Sequence, residues 1–304
     1  MAVLTDKRLL VVSGKGGVGK STVAAALAVA SARAGLRTLV CEVNAKERVT
    51  VFLGKPEVGS KIGLLEENLW AVDVRPHEAM REYALMILKF ESVYNAVFEN
   101  RLVRYFVRFI PSLQELVMLG KILFHLQERR ADGSWRFERV VVDAPATGHA
   151  ISFLSVPQVI IDTVPPGPMS QEAQKMRDLL IDESVTAAVL VSLPEDMPVN
   201  ETIELRLALE NRVHLKTQAV VLNAFNAPRF TPADLEAVES LPPLAAAAKS
   251  HVERARLSAL SRERLETALG LAPACVPRLF HPTFGPGAID EVATHLKPLL
   301  EAGA

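Results

Sequence analysis

The chain has 304 residues, 49% hydrophobic and 23% charged, which suffices for a large α/β core and excludes bulk disorder. Its 34 Lys+Arg against 35 Asp+Glu leave a net charge of −1, so no nucleic-acid partner is expected. Two cysteines, Cys41 and Cys275, are too few for a disulfide scaffold or a thiolate metal cage, and both read as reduced thiols in strand-like runs.

From the N-terminus, Met1 to Lys7 shows no signal-peptide pattern, and no stretch approaches the ~20 uninterrupted apolar residues of a membrane span. A cytoplasmic protein is the expectation. Leu9–Val12 reads as a buried strand, then Ser21–Ala34 as a helix and Thr38–Val43 as a second strand. A long helical stretch follows, from about Pro76 to Arg130, and is expected to be a helical subdomain inserted in the main fold. Leu102, Phe106, Phe109, Leu116, Leu119 and Leu123 form its packing face, with a groove for a partner segment as the alternative. Arg101, Arg104 and Arg108 share one face, which reads as solvated.

Further strands are expected at Val140–Val142, Ala187–Val191, Ala219–Leu222 and Ala274–Leu279. Helices are expected at Ser170–Ile181, Val199–Arg212, Pro243–Leu269 and Ala288–Leu300. Near-continuous apolar strands alternating with helices imply an α/β, doubly wound, mostly parallel sheet covered on both faces. With no repeat and no linker, residues 1–304 read as a single domain.

The strongest chemical signal is Gly14-Lys15-Gly16-Gly17-Val18-Gly19-Lys20-Ser21, a G-x-x-x-x-G-K-[ST] phosphate loop between a strand and an Ala-rich helix. Glycines let successive backbone N–H groups turn toward phosphate oxygens, and the helix N-terminus adds its dipole. Lys20 supplies a compact charge for the β- and γ-phosphates, Ser21 a hydroxyl for Mg²⁺, and Thr22 continues the nucleotide-binding turn. The strand Val140–Val142 ends in Asp143, an acid placed to support the Mg²⁺ water shell.

Lys15 gives the loop the form G-K-G-G-x-G-K-[ST], which resembles the deviant Walker A motif of one class of P-loop ATPases. Asp143-Ala144-Pro145-Ala146-Thr147-Gly148-His149, followed by Leu154 and Pro157, resembles the switch II of its ArsA-like branch. That family comprises the arsenite-pump and tail-anchored-protein-targeting ATPases. Here Pro145-Ala146 stands where the family has Ala-Pro. The resemblance implies ATP and Mg²⁺ as cofactors and a dimer, homo- or hetero-, with Lys15 reaching the facing subunit's nucleotide. It makes His149 a switch residue reporting the γ-phosphate state. Leu193 to Thr202 resembles a family stretch that brings Glu201 near the dimer interface. Asn223, at a strand end, takes the place of the adenine-reading amide, and Pro277 and Phe280 that of the loop packed on the base.

Three departures shape the expectation. Asn44 stands where switch I of the family has the Asp that positions the attacking water; an amide orients water but cannot take its proton, so slow hydrolysis is expected. Glu42 and Glu47 are nearby substitutes. No C-x-x-C is present, so no zinc is held across a dimer and arsenite thiolate chemistry is disfavoured. Where the targeting ATPases carry a long insertion after the position of Pro157, only Gln158 to Glu183 intervenes, too short for a large client groove at that place.

The expected function is a Mg-ATP-binding dimeric ATPase that uses ATP binding and slow hydrolysis to switch dimer conformation and handle a protein or membrane-associated client. The alternative is a switch module with negligible turnover, paired with a hydrolysing paralogue. A membrane-cycling ATPase is disfavoured, because Ala288–Ala304 carries one Lys and is interrupted by Pro298.

Overall fold

The computed structural model describes residues 3–43, 48–76, 78–80 and 112–301. Eight strands form one sheet in the order β3-β4-β2-β5-β1-β6-β7-β8. They are β1 (Leu9–Gly14), β2 (Thr38–Val43), β3 (Gly63–Glu66), β4 (Leu69–Val74), β5 (Arg139–Asp143), β6 (Thr186–Ser192), β7 (Thr217–Phe225) and β8 (Ala274–Pro277). Every adjacent pair is parallel except β3–β4.

The apolar strands are buried on both faces because each feeds two cores. In β1, Leu9 and Val11 point into one cluster, Leu10 and Val12 into the other, as the two-residue strand period demands. Helices α1 (Lys20–Arg33) and α9 (Pro286–Leu300) pack together over one face. Alanine at most inner positions of α1 lets it lie close to sheet and helix at once, and Val23 through Val29 are all buried.

The opposite face carries α3 (Leu113–Gln127), α4 (Thr147–Thr163), α5 (Pro168–Ile181), α6 (Asp196–Ala208), the π-helical turn Leu209–Val213 and the C-terminal part of α8 (Pro242–Leu269). Two short helices, α2 (Val49–Phe52) and α7 (Pro232–Ala237), complete the set. Among the described residues no helix is long and apolar enough to cross a membrane.

Several elements differ from expectation. Hairpin β3–β4 was not anticipated; it turns at Asn68, whose φ of 59° is a left-handed conformation that asparagine tolerates. Helix α4 starts inside the Asp143–His149 motif and carries Pro157 in its interior. Strand β8 stops at Pro277 rather than Leu279, with the Arg278 N–H still donating to the Phe225 carbonyl at 2.9 Å. Of the expected helical insertion, α3 buries Leu116, Leu119 and Leu123, whereas residues 81–111, with Arg101, Leu102, Arg104, Phe106, Arg108 and Phe109, lie outside the described residues. Both cysteines are free, in strands separated by four others; burial pushes the Cys41 thiol up to about 12.

Candidate functional site

The carboxyl ends of β1, β2 and β5 open onto one crevice, the usual ligand position in an open α/β sheet. Gly14 ends β1 where a Cβ would lie 2.3 Å from the Val191 carbonyl oxygen, so the loop leaves the sheet at a point only glycine fits. Gly19 precedes α1 with φ +93°, and a Cβ there would stand 2.3 Å from Asn223 Nδ2. That amide donates to the Val18 carbonyl over 2.9 Å, so β7 braces the loop from below. Nothing lies within 4 Å of ideal Cβ positions at Gly16 and Gly17. Helix α1 begins without a side-chain cap or a first-turn acid, which leaves its first N–H groups for an anion.

A cleft of about 470 Å³ adjoins this loop. Gly16, Gly17, Lys20 and Ser21 line one side, and Asp143 through Ala146 with His149 another. Lys20 Nζ donates to the Lys15 carbonyl at 3.0 Å, and burial lowers its pKa despite the attraction of Asp143. Ser21 and Asp143 line the same cleft, and the Ser21 hydroxyl favours the charged carboxylate. Burial raises the Asp143 pKa, opposed by Ser21, Lys20 and Arg48. Asp143 is only 4% exposed, and its Oδ1 is buried without a hydrogen-bond partner among the described residues. A hydroxyl beside an unsatisfied carboxylate oxygen is a donor set that suits a hard cation such as Mg²⁺ or its water shell. Ser13 Oγ donates to the Pro145 carbonyl at 3.2 Å, joining the end of β1 to the segment after β5.

The other residues singled out from the sequence fall elsewhere. Lys15 turns away from Lys20 and pairs with Glu201 Oε1 of α6 at 2.6 Å. Asn223, Pro277 and Phe280 do not line the cleft; Phe280 is 70% exposed and stacks on the Arg229 guanidinium at 5.6 Å. Thr22 is half-buried in the first turn of α1, and Asn44 lies outside the described residues.

Arg48, Glu115 and Met118 line the cleft without having been anticipated, since no spacing rule links them to the loop. Glu42 is fully buried, and its Oε1 accepts the backbone N–H of Arg48 at 2.7 Å and of Val49 at 3.1 Å. Burial raises its pKa to about 7; the two N–H bonds oppose this, and Asp143 and Asp73 add to it. An acid inside the apolar run Thr38–Val43 was the one sequence signal of this arrangement.

The sequence profile of anion-transporting ATPases matches residues 7–165, a span holding the glycine loop, Asp143 and His149. The ATPase BagA of Mycobacterium tuberculosis is 31% identical over 259 residues, covering 82% of this chain and 72% of that protein. A Halobacterium salinarum protein provisionally described as an arsenical pump-driving ATPase is 26% identical over 234 residues, covering 72% and 35% respectively. The ATPase get3 of Sclerotinia sclerotiorum is 22% identical over 267 residues, covering 75% and 76%.

Proposed function

We propose, for a chain that belongs to the anion-transporting (ArsA) family of ATPases, that ATP with Mg²⁺ is held in the cleft between Lys20 and Asp143 and slowly hydrolysed there. One observation carries this reading: Lys20, Ser21 and Asp143 with its unsatisfied Oδ1 line one cleft beside an uncapped helix N-terminus. The backbone of Gly14, Lys15, Gly16, Gly17, Val18 and Gly19 cradles the phosphates. Lys20 and Ser21 stand at their β/γ end, and Thr22 completes the turn. Mg²⁺, held by Ser21 and through water by Asp143, would neutralise charge on the transferred phosphoryl group. Asn44 orients the attacking water, and Asn223 reads adenine through Oδ1, its Nδ2 being engaged by Val18. Pro277 and Phe280 pack on the base.

ATP then lies between two subunits, and its turnover switches the dimer that engages a protein or membrane-associated client. For Lys15 to reach across, its bond to Glu201 must be exchanged for a phosphate contact. A solvent-accessible pair contributes at most about 1 kcal/mol, less than a charge-assisted bond to phosphate, so the exchange is favourable. Asn44 in place of an acid supports the second reading, a switch module with negligible turnover beside a hydrolysing paralogue.

Isothermal calorimetry with Mg·ATP and Mg·ADP tests the central reading. Binding of both is expected, and Lys20→Ala is expected to weaken ATP by more than about tenfold, the loss of one charged phosphate contact. A wild-type protein that binds neither nucleotide at millimolar concentration overturns it.

A further inference from the structure

We propose that Arg48 is a catalytic side chain supplied within the chain, whose guanidinium contacts the terminal phosphate of ATP bound beside Lys20 and Asp143. The proposal rests on the nucleotide reading above and deepens it. Arg48 lines the same cleft as Gly16, Gly17, Lys20 and Asp143. It is exposed to the cleft, and no described carboxylate forms a salt bridge with it. Its charge nonetheless acts on the site, lowering the pKa of both Lys20 and Asp143. Two cations facing one small cleft repel each other, and a polyanion between them removes that repulsion.

The placement of Arg48 is built from below. Its backbone N–H, with that of Val49, is bound by the fully buried Glu42 carboxylate at the end of β2. In the sheet Glu42 pairs in register with Asp143, so Arg48 is anchored next to the strand end that carries the candidate metal-supporting acid. This clamp holds the main chain and leaves the guanidinium free, with a planar fork of donors that matches phosphate oxygens.

In the reaction, the water oxygen bonds to the γ-phosphorus as the bond from that phosphorus to the β–γ bridging oxygen breaks. The bond pair leaves with ADP, and the water proton passes to solvent as inorganic phosphate is released. Arg48 transfers no proton; it stabilises negative charge on the phosphoryl oxygens as they move.

The test compares Arg48→Ala and Arg48→Lys with wild type in calorimetric binding of Mg·ADP and of a non-hydrolysable ATP analogue. Arg48→Ala is expected to weaken the analogue by about 10- to 100-fold while ADP changes by less than about threefold. Arg48→Lys keeps the charge without the fork and is expected to fall between. Single-turnover hydrolysis should decline in the same order. The melting temperature without nucleotide should stay put, because Glu42 binds amides that any residue provides. Equal weakening of both nucleotides, or of neither, overturns the assignment; if alanine lowers the melting temperature, the lysine variant decides by the same criterion. Failure of wild type to bind either nucleotide overturns the nucleotide reading itself and is recognised by that.

Discussion

The phosphate end and the base end of the candidate site are built by different means. At the phosphate end the geometry comes from main chain and element termini: the close approach of Gly14 to Val191, the uncapped start of α1, and Asp143 at the end of β5. At the proposed base end it depends on single side chains, at the end of β7 and in the loop after β8. There Asn223 is occupied with Val18, and Phe280 projects into solvent against Arg229. Backbone-built sites are organised before a ligand arrives, whereas side chains on loops must still be ordered when it binds. Nucleotide affinity should therefore be far more sensitive to changes at the phosphate end.

Substitutions at the two ends measure that difference. The largest effect is expected at Asn44, where Asp restores a proton acceptor and should raise single-turnover hydrolysis by up to about 10²–10⁴-fold, with Asp143→Ala as the inactive control. Brisk wild-type turnover that Asp does not improve would assign water activation to another group. Next comes the brace beneath the loop. Gly19→Ala forces a Cβ against Asn223 at φ +93° and should cost about 1–3 kcal/mol in denaturant unfolding. Asn223→Ala alone should cost about 1 kcal/mol, and the pair together less than the sum, because removing the amide removes the clash. Strict additivity would mean that the two residues do not meet. The smallest effect belongs to Phe280→Ala, expected to weaken ADP by only about 1 kcal/mol and pyrophosphate not at all. A loss at Phe280 matching that of Lys20→Ala would invert the comparison.

What was legible in the sequence follows the same division. Strands β1, β2 and β5 to β8 stand out because burial on both faces removes polar residues from them, and the glycine loop because only glycine meets its geometry. Strand β4 was passed over although it matches β2, with the fully buried Asp73, paired to Arg75, standing in register with Glu42. Helix α4 was hidden by Pro145, Gly148 and Pro157, which read as loop punctuation although Thr147 starts a regular helix. Arg48 and Glu115 reach the cleft, and Glu201 reaches Lys15, through folding across tens to hundreds of residues, so no local periodicity marks them.

The position of β1 has a consequence for synthesis. It is made before both of its neighbours, Arg139–Asp143 and Thr186–Ser192, and neither exists when it leaves the ribosome. During most of translation an apolar strand and an alanine-rich helix wait without their sheet. Pairings this distant in sequence form slowly and leave sticky surface open meanwhile. A nascent chain arrested before Val191 would carry every residue of the glycine loop without the residue against which Gly14 is fitted. The glycine loop is thus made well before the strands that complete it, and the yield of the folded site should depend on what shields the chain in between.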